Sequence, residues 1–244
     1  MKNTSIQFLI LGISIFWGCK NTTESKAENS SESAESTTSI FTLFDGTNTE
    51  GWRVFNGTDF PGNWSMEEGV LKCSGTAAEV EGGGDLIYAA KQFDNFELSL
   101  EWKISAGGNS GIFYHVVEGK EYHAPYQTGP EYQVLHDNAF PDLSNLHLTG
   151  ADYAMYSADP SKKTTKPAGE WNTSKIVFTK TQVQHWLNGS KIVEFVPWSE
   201  HWKSRKEGSK WKSEANYGAA NTGFIGLQDH GHEVWYRNIK VMEL

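Results

Sequence analysis

Phe96-Glu97-Leu98-Ser99-Leu100-Glu101-Trp102-Lys103-Ile104 alternates apolar and polar side chains without a break. That period of two belongs to a strand lying on a core, with Phe96, Leu98, Leu100, Trp102 and Ile104 inward and Glu97, Ser99, Glu101 and Lys103 outward. Working outward, the same reading predicts strands at Val70–Cys73, Asp85–Ala89, Gly111–Val117, Tyr132–Leu135, Lys175–Lys180, Val183–Leu187, Lys191–Phe195, Phe224–Gln228 and Val234–Val241. Asn188-Gly189 between two of them is a hairpin turn signal. No long segment has helical periodicity, and no strand–helix–strand pattern recurs. The expectation is an all-β chain, a two-sheet antiparallel sandwich of the jelly-roll type. Two insertions, roughly 136–170 and 197–222, exceed ordinary hairpin loops and are expected to build a site or a lid on that scaffold.

A length of 244 residues suits one large β domain, and the net charge of -9 comes without a dense Lys/Arg stripe. The electrostatic footprint of nucleic-acid binding is therefore missing. Ten tryptophans offer faces for stacking on sugar rings, although cross-strand packing in a sandwich core uses the same residues.

The N-terminus reads as an address. A basic start at Lys2 and an apolar run from Ile6 to Trp17, too short to span a bilayer, end in Gly18-Cys19. A small residue before Cys at that place resembles a bacterial lipobox, so residues 1–18 are expected to be a lipoprotein signal peptide and Cys19 a lipidation site. Residues 19–39 are Ser, Thr, Glu and Asn with almost nothing apolar, the composition of a disordered linker, which leaves the β-sandwich at 40–244. The expected location is the bacterial cell envelope, on the outer membrane or a periplasmic face, with the membrane touched through the lipid alone. Cys73 is then the one remaining thiol.

Strand parity also selects polar residues. With Ile112 and Tyr114 inward, Phe113 and His115 turn outward; Glu131 and Gln133 share the face opposite Tyr132 and Val134. If the three strands are neighbours in one sheet, Glu101, Lys103, His115, Glu131 and Gln133 form a polar patch, which a plain solvated face would also produce. Asp229-His230-Gly231-His232 adds two imidazoles and an acid in a Gly-flanked turn. These have the types to bind a divalent metal or to move protons, while a turn whose backbone Asp229 holds would look the same. Nothing in the sequence requires a cofactor.

Leu43-Phe44-Asp45-Gly46, Gly51-Trp52, Asn109-Ser110-Gly111-Ile112-Phe113, Glu131-Tyr132-Gln133-Val134-Leu135, Gly169-Glu170-Trp171-Asn172, His185-Trp186-Leu187-Asn188-Gly189, Ser209-Lys210-Trp211, Gly226-Leu227-Gln228-Asp229-His230-Gly231 and Tyr236-Arg237-Asn238-Ile239 follow in one order. This set resembles the 3-keto-disaccharide hydrolase family from about residue 41 onward. His115 stands where that family more often has Arg, and His136 precedes Asp137-Asn138 where many members run straight into Asp. The resemblance implies a concanavalin-like jelly roll, an envelope location in glycan-degrading bacteria, and action on small carbohydrates whose C3 hydroxyl has been oxidised.

An ordinary glycosidase brackets the scissile bond with two carboxylates. Retaining jelly-roll glucanases commonly carry Glu-x-Asp-x-x-Glu on one strand. Glu131-Tyr132-Gln133-Val134-Leu135-His136 keeps one acid of that pattern. A C3 ketone asks for less, because it acidifies the C2 proton. A base forms the enolate, the C1 substituent leaves by β-elimination, and water adds back. Glu131 or His230 is expected as base, with His115 a further candidate. Glu101, Lys103, Gln133, Asp137, Asp229 and Arg237 are expected to hold hydroxyls or the enolate, and Trp171 to stack on the ring. The competing expectations are a non-catalytic carbohydrate-binding domain and an envelope scaffold.

Overall fold

The computed structural model describes residues 39–75 and 84–244. Cys19, the expected leader and the linker up to residue 38 lie outside the described residues. Thirteen strands form among the described residues: β1 (Ile40–Phe44), β2 (Trp52–Val54), β3 (Trp64–Glu67), β4 (Val70–Cys73), β5 (Leu86–Phe93), β6 (Phe96–Ile104), β7 (Asn109–Val116), β8 (Glu131–Leu135), β9 (Asn172–Thr179), β10 (Gln182–Leu187), β11 (Ser190–Phe195), β12 (Gly223–Leu227) and β13 (Val234–Glu243). They make two antiparallel sheets, a sandwich. One runs β11-β10-β9-β6-β13-β4-β3, with β1 also paired to β13; the other runs β2-β5-β12-β7-β8.

The alternation in β6 is fully used. Phe96, Leu98, Leu100, Trp102 and Ile104 are each at most 4% exposed, and burial on that scale stabilises by about 2 kcal/mol per side chain. Asn188 and Gly189 both take positive φ between β10 and β11, as a tight hairpin turn requires. β1, β2 and β3, of three to five residues each, have no counterpart in the sequence reading.

One expectation fails at the level of topology. β6 pairs with β9 and β13, whereas β7 and β8 lie in the other sheet, so Glu101 and Lys103 are separated from Glu131 and Gln133 by the sandwich. Parity distinguishes the inside of a strand from its outside, but both sheets have an outside.

Parts of both long insertions lie against β8, and Glu131 and Gln133 are buried although they face away from the core. In the first, Tyr153 N–H donates to Glu131 O at 2.9 Å and Gln133 N–H to Ala151 O at 3.1 Å, so the chain runs along the free edge of β8. The second holds a short helix, α1 (Glu200–Glu207), whose Ser199 cap accepts from Trp202 N–H at 3.2 Å. Lys206 Nζ reaches back to Ala215 O at 3.0 Å and Tyr217 O at 2.9 Å, closing the insertion on itself.

Candidate active site

A cleft of about 120 Å³ opens beside β7 and β8, lined by Asn109, Tyr126, Glu131, Gln133, Tyr153, Lys210, Trp211, Gln228 and His230. The motif Asn109-Ser110-Gly111 builds its floor. Asn109 Oδ1 accepts from Gln133 Nε2 at 2.9 Å. Ser110 Oγ donates to Gln228 O at 2.7 Å, which ties the strand to the loop after β12. Gly111 makes room for the acid, because a Cβ there would stand 2.2 Å from Glu131 Oε1.

Glu131 is 4% exposed, and burial pushes its pKa up to about 8; the Lys210 charge pulls it down, and Asp85 and Asp152 push it further up. Lys210 is placed by the turn Lys210–Ser213, which Ser209 caps by accepting from Trp211 N–H at 3.1 Å. Its ammonium lies 4.5 Å from the Tyr153 ring centre and 4.4 Å from that of Trp211. Partial desolvation lowers the Lys210 pKa, against the opposing pull of Glu131. Trp211 is fixed in turn by stacking on Tyr217 at 4.3 Å and by donating from Nε1 to Tyr153 O at 2.9 Å. The result is one buried carboxyl that titrates near neutrality, one cation beside it, and aromatic walls.

Of the residues expected from sequence, Glu131, Gln133 and His230 come together here, with His230 exposed at the rim. Asp229 stands behind them in the turn role: it accepts from Gly231 N–H at 2.9 Å and Asn63 Nδ2 at 3.0 Å, and its own N–H donates to Asp85 Oδ1 at 2.8 Å. Burial raises the Asp85 pKa to about 7.

His115 is not in the cleft. The β12–β7 register slips between Phe224 and Gly226, and His115 takes φ 53°, so Tyr114 and His115 both turn into the core while Phe113 and Val116 turn out. Its ring packs 4.2 Å from that of Phe178, its Nε2 meets Asp94 O at 2.9 Å, and burial drives its pKa down to about 4. Glu101, Lys103, Trp171 and Arg237 form a separate cluster on the outer face of the large sheet. There Arg237 donates to Glu101 from Nε at 2.9 Å and from Nη2 at 2.7 Å, and its guanidinium covers Trp171 at 4.0 Å. Asp137 braces the first insertion by pairing with Lys163 at 2.5 Å and accepting from Thr149 N–H at 2.9 Å. Among the described residues no three His, Cys, Asp or Glu side chains converge as metal ligands.

Residues 40–242 match the model of the 3-keto-alpha-glucoside-1,2-lyase-like domain family. The chain belongs to this family. A 3-keto-disaccharide hydrolase of Bacteroides thetaiotaomicron is 40% identical over 228 residues, which cover 83% of this chain and 78% of the relative. A Parabacteroides distasonis protein assigned to the glycosyl hydrolases superposes with a TM-score of 0.76 at 39% identity, over 84% of this chain and 94% of that one. A second from the same organism gives 0.62 at 25% identity, over 84% and 100%. Family and relatives together support a glycosidase-type function.

In this member of the 3-keto-alpha-glucoside-1,2-lyase-like family, sequence reasoning missed Tyr126, Tyr153, Lys210, Trp211, Asn109 and Gln228 as site residues. Asn109, Lys210, Trp211 and Gln228 stand in the ordered motifs, and the insertions were expected to build a site. Those two signals, taken together, point to Lys210 and Trp211.

Proposed function

We propose that the cleft cleaves 3-keto-glycosides by C2 deprotonation, β-elimination and hydration. The observation that carries this reading is a single buried carboxyl, Glu131, poised near neutral pH beside Lys210 in a ring-lined cleft. A base with a pKa near the working pH combines a useful ionised fraction with strong proton affinity. Ionised Glu131 removes the C2 proton. The electron pair moves toward the C3 oxygen, where the Lys210 ammonium stabilises the negative charge. Collapse of the enolate forms the C1–C2 double bond and breaks the C1–O bond, and His230 at the rim protonates the departing oxygen. Water then adds, hydroxyl to C1 and proton to C2, giving the free 3-keto sugar and the released alcohol. Tyr153 and Trp211 provide the apolar walls that the sugar ring packs on.

The test is product analysis with 3-keto and unoxidised forms of one disaccharide. Selective turnover of the oxidised form is the expected result. Equal cleavage of both overturns the mechanism, and binding without turnover of either makes the domain a carbohydrate-binding module. We further propose that Cys19 anchors the protein at the cell envelope, supported by the Ile6–Trp17 run and Gly18. Fatty-acid labelling in the native host that survives Cys19→Ala overturns that part.

A further inference from the structure

A groove of about 660 Å³ lies on the outer face of the large sheet, against about 120 Å³ for the cleft. Ser99, Glu101, Lys175, Trp186, Asn238 and Lys240 are among the residues that line it, and its volume is that of a ligand site. Two of the ordered motifs, 185–189 and 236–239, supply Trp186 and Asn238 here and contribute no residue to the cleft. A bulge presents the second of them. The β6–β13 register shifts between Arg237 and Lys240, and Asn238 takes φ 53°, so Arg237 and Asn238 both stand on the outer face between buried Tyr236 and Ile239. Asn238 Nδ2 donates to Glu101 Oε1 at 2.7 Å, while Arg237 holds the other carboxylate oxygen. Trp186 is fixed as well. Its Nε1 donates to Gln184 Oε1 at 2.9 Å, and the Lys175 ammonium lies 4.6 Å from its ring centre.

The charge on this face has the opposite sign to that of the chain, which is -9 overall. Outward positions of β6, β9, β10 and β13 carry Lys103, Lys175, Arg237 and Lys240 against Glu97 and Glu101. Lys175 pairs with Glu97 at 3.2 Å and Arg237 with Glu101 at 2.7 Å. Lys103 and Lys240 have no ion pair among the described residues. Such a surface favours an anionic ligand, yet two surplus cations fall far short of what a nucleic-acid backbone demands. An indole beside an amide, a serine hydroxyl and a lysine instead suits a pyranose, which offers an apolar face and a hydroxyl edge. We infer that this groove is a second carbohydrate site, which binds a chain of an acidic glycan, one carrying carboxylate or sulfate groups. Trp186 meets a sugar ring, Asn238 and Ser99 take hydroxyls, and Lys240 takes the acidic group. Bound there, the domain is held on a glycan while the cleft on the other sheet stays free. The assignment needs no assumption about the cleft's chemistry, and its failure leaves that reading untouched.

The experiment is isothermal titration calorimetry at low ionic strength with four probes: oligogalacturonate, chondroitin sulfate oligosaccharides, cello-oligosaccharides of matched length, and polyphosphate. Expected is a Kd below about 1 mM for at least one acidic glycan, with cello-oligosaccharides and polyphosphate at least about tenfold weaker. Trp186→Ala should weaken that binding by about tenfold. Lys240→Glu, at an exposed position, and Asn238→Gly, which accepts the positive φ, should each weaken it by about three- to tenfold with the melting temperature held. These two carry the test if the Trp186 variant melts early. Glu131→Gln should bind like wild type, because the cleft takes no part. The assignment is overturned if neither acidic glycan binds, or if cello-oligosaccharides or polyphosphate bind as tightly. Binding that survives Lys240→Glu and Asn238→Gly but is lost in Glu131→Gln belongs to the cleft and overturns it too.

Discussion

Glu131→Gln should make the protein more stable as the pH rises, while it abolishes turnover. The folded-state pKa of about 8 lies some three and a half pH units above the 4.5 of an unburied Glu. Between those two values the unfolded chain has lost the proton and the folded chain still holds it. Folding then takes up a proton, and stability falls by about 1.4 kcal/mol for each unit of rising pH. The contribution is fully present below pH 4.5 and fully lost above 8, a total of about 5 kcal/mol across the whole gap. Because the carboxyl borders an open cleft, screening should leave roughly 2 kcal/mol of that in practice. Gln keeps the shape and cannot ionise. The variant should therefore match wild type near pH 4.5 and exceed it by roughly 4–8 °C in Tm at pH 8.5. Thermal unfolding by circular dichroism across that range, with turnover of a 3-keto-disaccharide at each pH, makes the comparison. A Tm difference that stays constant with pH, or that favours wild type at pH 8.5, refutes the assignment of a buried, proton-holding Glu131.

Lys210→Met removes the charge that holds the Glu131 pKa down, so the rising limb of kcat/KM against pH should move to higher pH, and kcat should fall about 10²–10³-fold. Gly111→Ala drives a Cβ to 2.2 Å from Glu131 Oε1; expected are about 1–3 kcal/mol of destabilisation in urea and a loss near 10² in kcat from the displaced carboxyl. His115→Ala opens a cavity in the core beside Phe178 and should cost about 2–4 kcal/mol, while kcat/KM measured well below the melting temperature stays within threefold. Arg237→Ala, on the outer face of the large sheet, should leave both stability and kcat/KM nearly unchanged, since its ion pair with Glu101 is solvent-exposed in part.

The sandwich was legible because its core strands carry long alternating runs. The 96–104 run matches β6 residue for residue, and Val70–Cys73 matches β4. Parity also placed Glu131 and Gln133 correctly, outward from a strand whose Tyr132 and Val134 are fully buried. It failed at His115 for a local reason. A slipped register with a positive φ spends one residue without changing face, and a His in that position leaves no trace in a polar–apolar pattern. It failed at Glu101 and Lys103 for a global one, since alternation has no information about which strands are neighbours.

The remaining site residues lie where periodicity has nothing to say. Tyr153, Lys210 and Trp211 come from the two insertions, and their positions depend on contacts distant in sequence: Tyr153 N–H on Glu131 O, Trp211 Nε1 on Tyr153 O, and the ring of Trp211 on Tyr217. Each of these contacts acts on Glu131. The first insertion covers the edge of β8, the second brings Lys210 over the Tyr153 and Trp211 rings, and together they bury a carboxylate that a bare sheet face would leave in water. The raised pKa of Glu131 is thus a property of the insertions as much as of the strand. A sandwich with the same β7 and β8 but shorter connections would keep the acid, lose the desolvation and the cation together, and have an ordinary surface glutamate in place of a base matched to neutral pH.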